Sequence, residues 1–175
     1  METNLRSKIA ETPVFHLDAN RVNSMAKDAG VNRLERWHEE GVIFLEYSVE
    51  AYSEAESGSD SRRNKVDEYT WIEAVDIIGD EADRLRQIAK IVFPNGTQSP
   101  NQRNDVRILY TAWKAGAVLV TEDGDSKTQP RGILGSKSEL AKIGIRVLST
   151  AEAVSEIEAH LRRRKVENDL TRRST

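Results

Sequence analysis

Apolar residues along the chain follow two alternating patterns, and together these predict an α/β fold. Short continuous apolar runs, typical of buried parallel strands, occur at residues 14–18, 42–47, 117–120 and 145–148. Apolar residues at helical spacing lie between and after them, at 21–29, 31–40, from 48 onward, 67–92 with a break at Gly79, 105–115, 137–142, and from 149 or 150 to 161 or beyond. Strands that alternate with helices predict a parallel sheet of four to five strands with helices on both faces.

Polar segments mark the limits of this pattern. We expect residues 1–12 to be a loose lead-in, residues 13–161 a single domain, and residues 162–175 a basic C-terminal tail. Residues 57–65 are polar and turn-forming, which predicts a mobile loop. Arg62, Arg63 and Lys65 in that loop are expected to be solvated, with phosphate contact as the alternative.

Composition limits the class of protein. The chain has 175 residues, of which 31% are charged and 38% hydrophobic, with a net charge of −3, so a soluble globular domain is expected. It contains no cysteine, which excludes disulfides and thiolate metal sites and is compatible with a cytoplasmic location. No apolar run approaches the roughly 20 residues that span a bilayer, and no signal peptide is evident, so no membrane partner is expected.

Acidic residues stand where apolar strands end. Asp18 closes the first run, Asp105 begins a helix, and Asp123 and Asp125 follow the run that ends at Val120. Ligands bind at the carboxyl ends of strands in open α/β sheets, so we expect these acids to lie close together. Their mutual repulsion raises pKa values unless a cation lies among them.

Other common chemistries lack their motifs. The chain contains no GxSxG, no P-loop and no GxGxxG, and its three histidines are scattered. His16 lies within a predicted strand and is read as a packed residue. A haloacid dehalogenase phosphatase needs a second aspartate two residues after Asp18, where this chain has Asn20. Carboxylates alone suit Mg²⁺ or Mn²⁺, which can activate water for phosphodiester hydrolysis.

Two motifs carry a resemblance to a known family. The sequence VFHLDAN near the start and the sequence GAVLVTEDGD that begins at Gly116 resemble those of PIN domains, a family of metal-dependent ribonucleases that includes the VapC toxins. The resemblance extends from about residue 14 to 148. It implies a three-layer α/β/α sandwich and an Mg²⁺- or Mn²⁺-dependent ribonuclease. The residues that match the family pattern are Asp18, Asn20, Glu50, Asp105, Thr121, Asp123 and Asp125.

The resemblance also implies roles for these residues. Catalysis is assigned to Asp18, Glu50, Asp105 and Asp123; metal binding to Asp18, Asp105, Asp123 and Asp125; and support to Asn20 and Thr121. Four of them have a simpler alternative: a helix cap for Asp18 or Asn20, a helix-dipole contact for Asp105, and a turn for Asp125. The choice of glutamate stays open between Glu50, Glu46 and Glu54.

Basic residues near the acids are candidates for RNA contact. Arg21, Arg103 and Arg107 have side chains that match phosphate geometry, and surface salt bridges are their alternative. The resemblance implies an RNA substrate, and it allows an antitoxin partner and a homodimer. A second hypothesis from another class is a PIN-fold module that binds RNA or protein without cleaving.

Overall fold

The computed structural model describes residues 12–23, 25–67, 70–72, 77–124 and 132–173, and it has the predicted α/β class. The five strands of its sheet are β1 (Val14–Leu17), β2 (Phe44–Ser48), β3 (Thr70–Ile72), β4 (Val118–Val120) and β5 (Arg146–Leu148). Their order across the sheet is β3-β2-β1-β4-β5, and all neighbours are parallel. The first strand in the sequence therefore lies at the centre, with its carboxyl end between those of β2 and β4.

Helices cover both faces of the sheet, which gives a three-layer α/β/α sandwich. In the described ranges they are α1 (Ala29–Glu39), α2 (Val49–Glu56), α3 (Asp60–Val66), α4 (Glu81–Val92), α5 (Pro100–Lys114), α6 (Gly132–Gly135), α7 (Lys137–Lys142) and α8 (Thr150–Arg173). The helices α1 and α8 pack against each other, whereas α5 packs against both α2 and α4. Every residue of β4 is buried, as expected for a strand covered on both faces. No described helix is long and apolar enough to cross a membrane.

Local capping explains where several helices begin. The hydroxyl of Ser48 accepts a hydrogen bond from the Ala51 amide at the start of α2. At the start of α8, Ser149 Oγ accepts from the Glu152 amide while Glu152 Oε2 accepts from the Ser149 amide, which is a reciprocal capping box. These caps fix the helices that begin nearest the carboxyl edge of the sheet.

The helix predicted at residues 21–29 is wrong. Only a 3₁₀ turn, Ala19–Arg21, follows β1, and α1 begins at Ala29 because Asp28 Oδ1 accepts from the amides of Gly30 and Val31. Gly30 therefore lies inside the helix rather than after its end. A Cβ atom at Gly30 would lie 2.6 Å from Cγ2 of Thr150, so the glycine allows α8 to approach closely.

The mobile loop predicted at residues 57–65 is also wrong, because α3 occupies most of it. Val66 is fully buried at the end of α3, and Lys65 forms an ion pair with Glu35 of α1 at 3.5 Å. Val66, which lies just outside the polar residues 57–65, thus anchors that segment to the domain.

The long helical pattern at residues 67–92 is only half correct. Its second part is α4, but residues 70–72 form β3, which pairs with β2 in the register Ser48↔Ile72. Pairing along a sheet edge overrides helical spacing in so short a segment. Residues 68–69 and 73–76, also in that pattern, lie outside the described ranges, as do residues 1–11 of the predicted lead-in. The predicted tail begins within α8, which continues to Arg173.

Candidate active site

Four carboxylates influence one another at the carboxyl edge of the sheet. We call this set the acid cluster: Asp18, Glu54, Asp105 and Asp123. Burial raises the pKa of Asp18 to about 6, and the charges of Glu54 and Asp123 add to the increase. Burial raises the pKa of Asp105 to about 7, with further contributions from Asp18, Asp123 and Glu54. The three aspartates predicted to meet here, among the described residues, are therefore electrostatically coupled, although they come from three different parts of the chain.

Asp18 is held in one orientation by the two predicted supporting residues. It is 4% exposed, and its Oδ2 accepts from Thr121 Oγ1 at 2.6 Å and from Asn20 Nδ2 at 2.8 Å. Asn20 Nδ2 also donates to Thr121 Oγ1 at 3.1 Å. The alternative that Asn20 caps a helix does not hold, because Asp28 caps α1 and Asn20 lies inside the 3₁₀ turn.

Thr121 also connects Asp18 to Asp123. Its Oγ1 accepts from the Asp123 amide at 2.9 Å while its hydroxyl hydrogen goes to Asp18. Asp123 Oδ2 accepts from the Ile133 amide at 3.0 Å, so the start of α6 holds this carboxylate. A Cβ atom at Gly132, whose φ is +49°, would lie 2.7 Å from the carbonyl oxygen of Asp123. The close approach of these two segments therefore requires glycine at this position.

Of the three candidate glutamates, Glu54 is the one whose charge acts on the acid cluster, and the role predicted for Glu50 stays a prediction. Within the described ranges, Glu54 is the glutamate whose charge raises the pKa values of both Asp18 and Asp105. Its Oε1 accepts from Asn104 Nδ2 of α5 at 2.9 Å. Glu50 lies one helical turn earlier and faces Arg107, with 3.7 Å between Oε1 and Nη1. An error of four residues keeps a side chain on the same helix face, which is why the sequence pattern does not separate the two.

Glu46, the third alternative, is occupied elsewhere in the sheet. It lies opposite His16 in the β1–β2 pairing, with 3.4 Å between Oε1 and Nδ1 but no hydrogen-bond geometry. Burial lowers the pKa of His16 to about 4 and raises that of Glu46 to about 7. His16 is therefore a neutral, packed residue at neutral pH, as the sequence predicted.

The candidate RNA-binding arginines differ in how far the protein itself uses them. Arg21 forms an ion pair with Asp28 at 3.0 Å and donates to Asn20 Oδ1, so it braces the turn after β1. Arg107 faces Glu50, whereas Arg103 is exposed near the start of α5. Arg21 and Arg107 therefore form the surface salt bridges that were the alternative to RNA contact.

One further cation, for which the sequence favoured solvation over phosphate contact, lies at the edge of the acid cluster. Arg62 Nη2 donates to the carbonyl oxygen of Ala19 at 3.0 Å, one residue after Asp18. Reading residues 57–65 as a loop hid this contact. No periodic signal in the segment would have revealed it.

The donor chemistry of the acid cluster fits a divalent cation of the Mg²⁺ type, because all its ligand atoms are carboxylate oxygens. Within the described ranges, no three acidic or histidine side chains come together as a complete metal-binding group. Asp125, the fourth predicted ligand, lies outside those ranges. A Mg²⁺ site commonly uses only one or two carboxylates and completes its shell with water and substrate phosphate. Asp18 and Asp105 are the two best suited to hold such an ion, since they are the two members of the cluster whose pKa values burial raises.

Comparison with known proteins finds similarity to solved structures but not to a described family. No family model matches the chain, and no curated protein matches it. A crystal structure of VapBC2 from Rickettsia felis, bound to a DNA fragment from the promoter of VapBC2, matches with a TM-score of 0.49 and 14% identity. The match covers 78% of this chain and 98% of that one. At this TM-score and identity, it says nothing about the activity of this chain.

Proposed function

We propose that this chain is a metal-dependent endoribonuclease that hydrolyses RNA phosphodiester bonds at the acid cluster. The observation that carries the proposal is the pair Asp18 and Asp105, whose pKa values are raised to about 6 and about 7 by burial and by neighbouring carboxylates. Acids with strongly perturbed pKa values cluster at functional sites, and ligands of open α/β sheets bind at the carboxyl ends of the strands. The PIN resemblance of the sequence agrees with this assignment.

In this proposal Asp18 and Asp105 hold Mg²⁺ or Mn²⁺, with Asp123, Glu54 and the predicted ligand Asp125 completing the negative field. The bound ion would neutralise phosphate charge and supply an activated water. The chain's own contribution is orientation, because Thr121 and Asn20 fix the Asp18 carboxylate through hydrogen bonds of 2.6 and 2.8 Å.

A non-catalytic module that binds RNA or protein is the second candidate. It is favoured by the hydrogen bonds that already occupy Oδ2 of Asp18 and Oδ2 of Asp123 within the protein. The more specific role of a toxin with an antitoxin partner rests on the sequence resemblance alone, as does a homodimer. A cytoplasmic location likewise stays a proposal.

Calorimetric titration with Mn²⁺ tests the proposal without a guess at the RNA target. The variants are Asp105→Asn and Asp123→Asn, and the matched control is Asp83→Asn, an exposed acid of α4 that pairs with Arg86. We expect wild type and the control to bind equally and both cluster variants to bind at least about tenfold more weakly, as when a ligand or its close support is lost. A cleavage assay on structured RNAs follows.

Equal Mn²⁺ binding by all four proteins, with and without a non-cleavable RNA strand, would contradict the metal site. Metal binding without cleavage of any RNA would favour the binding module.

A further inference from the structure

Arg62 is fixed beside the acid cluster by the fold of α3. The chain leaves α2 after Glu56, turns through residues 57–59, and α3 then brings Arg62 back to the turn that follows β1. There Nη2 of Arg62 donates to the carbonyl oxygen of Ala19 at 3.0 Å. Ala19 directly follows Asp18, so the guanidinium lies at the edge of the site rather than on a remote surface.

The aliphatic part of Arg62 is also held in place. A Cβ atom at Gly58 would lie 2.9 Å from Cδ of Arg62, so the absence of a side chain at Gly58 makes room for the arginine stem. The buried Val66 and the ion pair of Lys65 anchor the helix that carries it. Arg62 is therefore a positioned side chain, and its neighbour Arg63 is an exposed one whose Nε reaches only the carbonyl of Glu56 at 3.4 Å.

Arg62 differs from the other arginines near the cluster in what it contacts. Arg21 and Arg107 each lie within ion-pair distance of a carboxylate. In the described part of the chain, Arg62 forms no such ion pair, and its hydrogen bond goes to a neutral carbonyl. A guanidinium has five N–H donors, and a single carbonyl uses one or two of them. Its full charge and its remaining donors suit an anion from outside the protein.

We propose that Arg62 binds the phosphate backbone of a single-stranded RNA and positions it over the acid cluster. This inference rests on the proposed function, since it assumes a phosphodiester substrate at that site. The fork of an arginine matches two non-bridging phosphate oxygens, and it reads no base. The contact thus contributes affinity that is independent of sequence and sensitive to salt. Arg62 also places a positive charge where the RNA must approach the negatively charged acid cluster, which lowers the repulsion between them.

Binding of a short, fluorescein-labelled, mixed-sequence phosphorothioate RNA, followed by anisotropy with Mn²⁺ present, tests this role. The variants are Arg62→Ala and Arg62→Lys, with Arg63→Ala as the matched control on the same helix. We expect Arg62→Ala to weaken binding about tenfold, the usual effect of losing one charge-assisted hydrogen-bonding group. The slope of log affinity against log salt should become shallower by about 0.7, as for one lost contact to a single strand.

Two further readouts separate positioning from folding. Arg62→Lys keeps the charge but loses the fork, so it should recover part of the affinity. Thermal unfolding and Mn²⁺ binding of Arg62→Ala should match those of Arg63→Ala, because Arg62 holds no metal. If Arg62→Ala unfolds early, Arg62→Lys still decides the question, because lower affinity than that of Arg63→Ala supports the phosphate contact and equal affinity overturns it.

The outcomes distinguish this inference from the proposed function. Wild type that binds Mn²⁺ and cleaves RNA, with equal RNA affinity in both alanine variants, would overturn the role of Arg62 and leave the nuclease intact. Selective loss of RNA binding in Arg62→Ala without cleavage by wild type would support Arg62 and refute the nuclease. Wild type that binds neither Mn²⁺ nor RNA would overturn both.

Discussion

Replacement of Asp105 by asparagine should stabilise the metal-free protein at alkaline pH. The pKa of Asp105 is raised from 3.8 to about 7, because burial and the neighbouring acids disfavour its charged form. A group whose pKa is higher in the folded state than in the unfolded state stabilises the fold below its unfolded pKa. That contribution is lost as the pH rises towards the folded pKa. For Asp105 the loss therefore falls between about pH 4 and about pH 7.

The size of this effect follows from the shift. Each pKa unit corresponds to about 1.4 kcal/mol. The rise from 3.8 to about 7 therefore lets the ionisation of Asp105 lower the free energy of unfolding by at most about 4 kcal/mol. Asparagine has nearly the same shape and cannot ionise. The free energy of unfolding of Asp105→Asn should thus equal that of wild type near pH 4 and exceed it by up to about 4 kcal/mol near pH 8.

Urea unfolding of both proteins at several pH values, in EDTA and in Mn²⁺, measures this difference. In EDTA the curve of wild type should fall with pH while that of the variant stays flatter. Mn²⁺ should narrow the difference near pH 8, because an ion at 100 times its dissociation constant adds about 2.7 kcal/mol to the protein that binds it. Equal stability in EDTA at every pH would refute the view that Asp105 is an uncompensated acid.

Three further changes test other parts of the site. Thr121→Val removes the hydroxyl that joins two acids and should lower the free energy of unfolding by about 1–3 kcal/mol in a thermal melt, the range for a buried group left unpaired. Glu54→Gln should weaken Mn²⁺ binding about tenfold in calorimetry, as for a close supporting group, while Glu50→Gln should leave it unchanged; the opposite pattern would restore Glu50 to the site. Gly132→Ala should lower the unfolding free energy by about 1–3 kcal/mol, because φ is +49° and a Cβ atom would meet backbone at 2.7 Å; an unchanged melting curve would show that the two segments can separate.

The parts of the fold predicted from the sequence are those with a strong local signal. Val118–Val120 is a continuous apolar run that ends in an acid, and it became a fully buried strand beside β1. The same logic placed Asp18 and Asp123 at one edge, because carboxyl ends of parallel strands coincide. The position of an acid after a strand is thus fixed by the alternation of elements and needs no knowledge of the loops.

The parts that were missed depend on contacts between distant residues. The helix α3 carries one buried apolar residue, Val66, so its seven residues contain no periodicity to detect. The strand β3 is fixed by pairing with β2, which lies more than twenty residues earlier in the sequence. Choosing between Glu50 and Glu54 requires knowing which turn of α2 lies beside Asp18 and α5. Sequence spacing does not contain that distance.

The contrast between two kinds of acid in this chain is the strongest argument for where function lies. Glu81, on α4, accepts hydrogen bonds from Lys114 and Tyr110. The hydrogen bond from Lys114 is the largest cause that lowers the pKa of Glu81 to about 2. Glu152 is likewise paired with Lys137, which lowers its pKa.

The acid cluster is built differently, although the chain has 26 lysines and arginines to draw on. Within the described ranges, none of its four members forms an ion pair with a basic side chain, and the pKa values of Asp18 and Asp105 are raised rather than lowered. Even Arg62, which contacts the residue that follows Asp18 in the sequence, donates to a carbonyl oxygen. An arrangement that leaves buried acids uncompensated, while it fixes their orientation with a threonine and an asparagine, is the one that a cation from solution would complete.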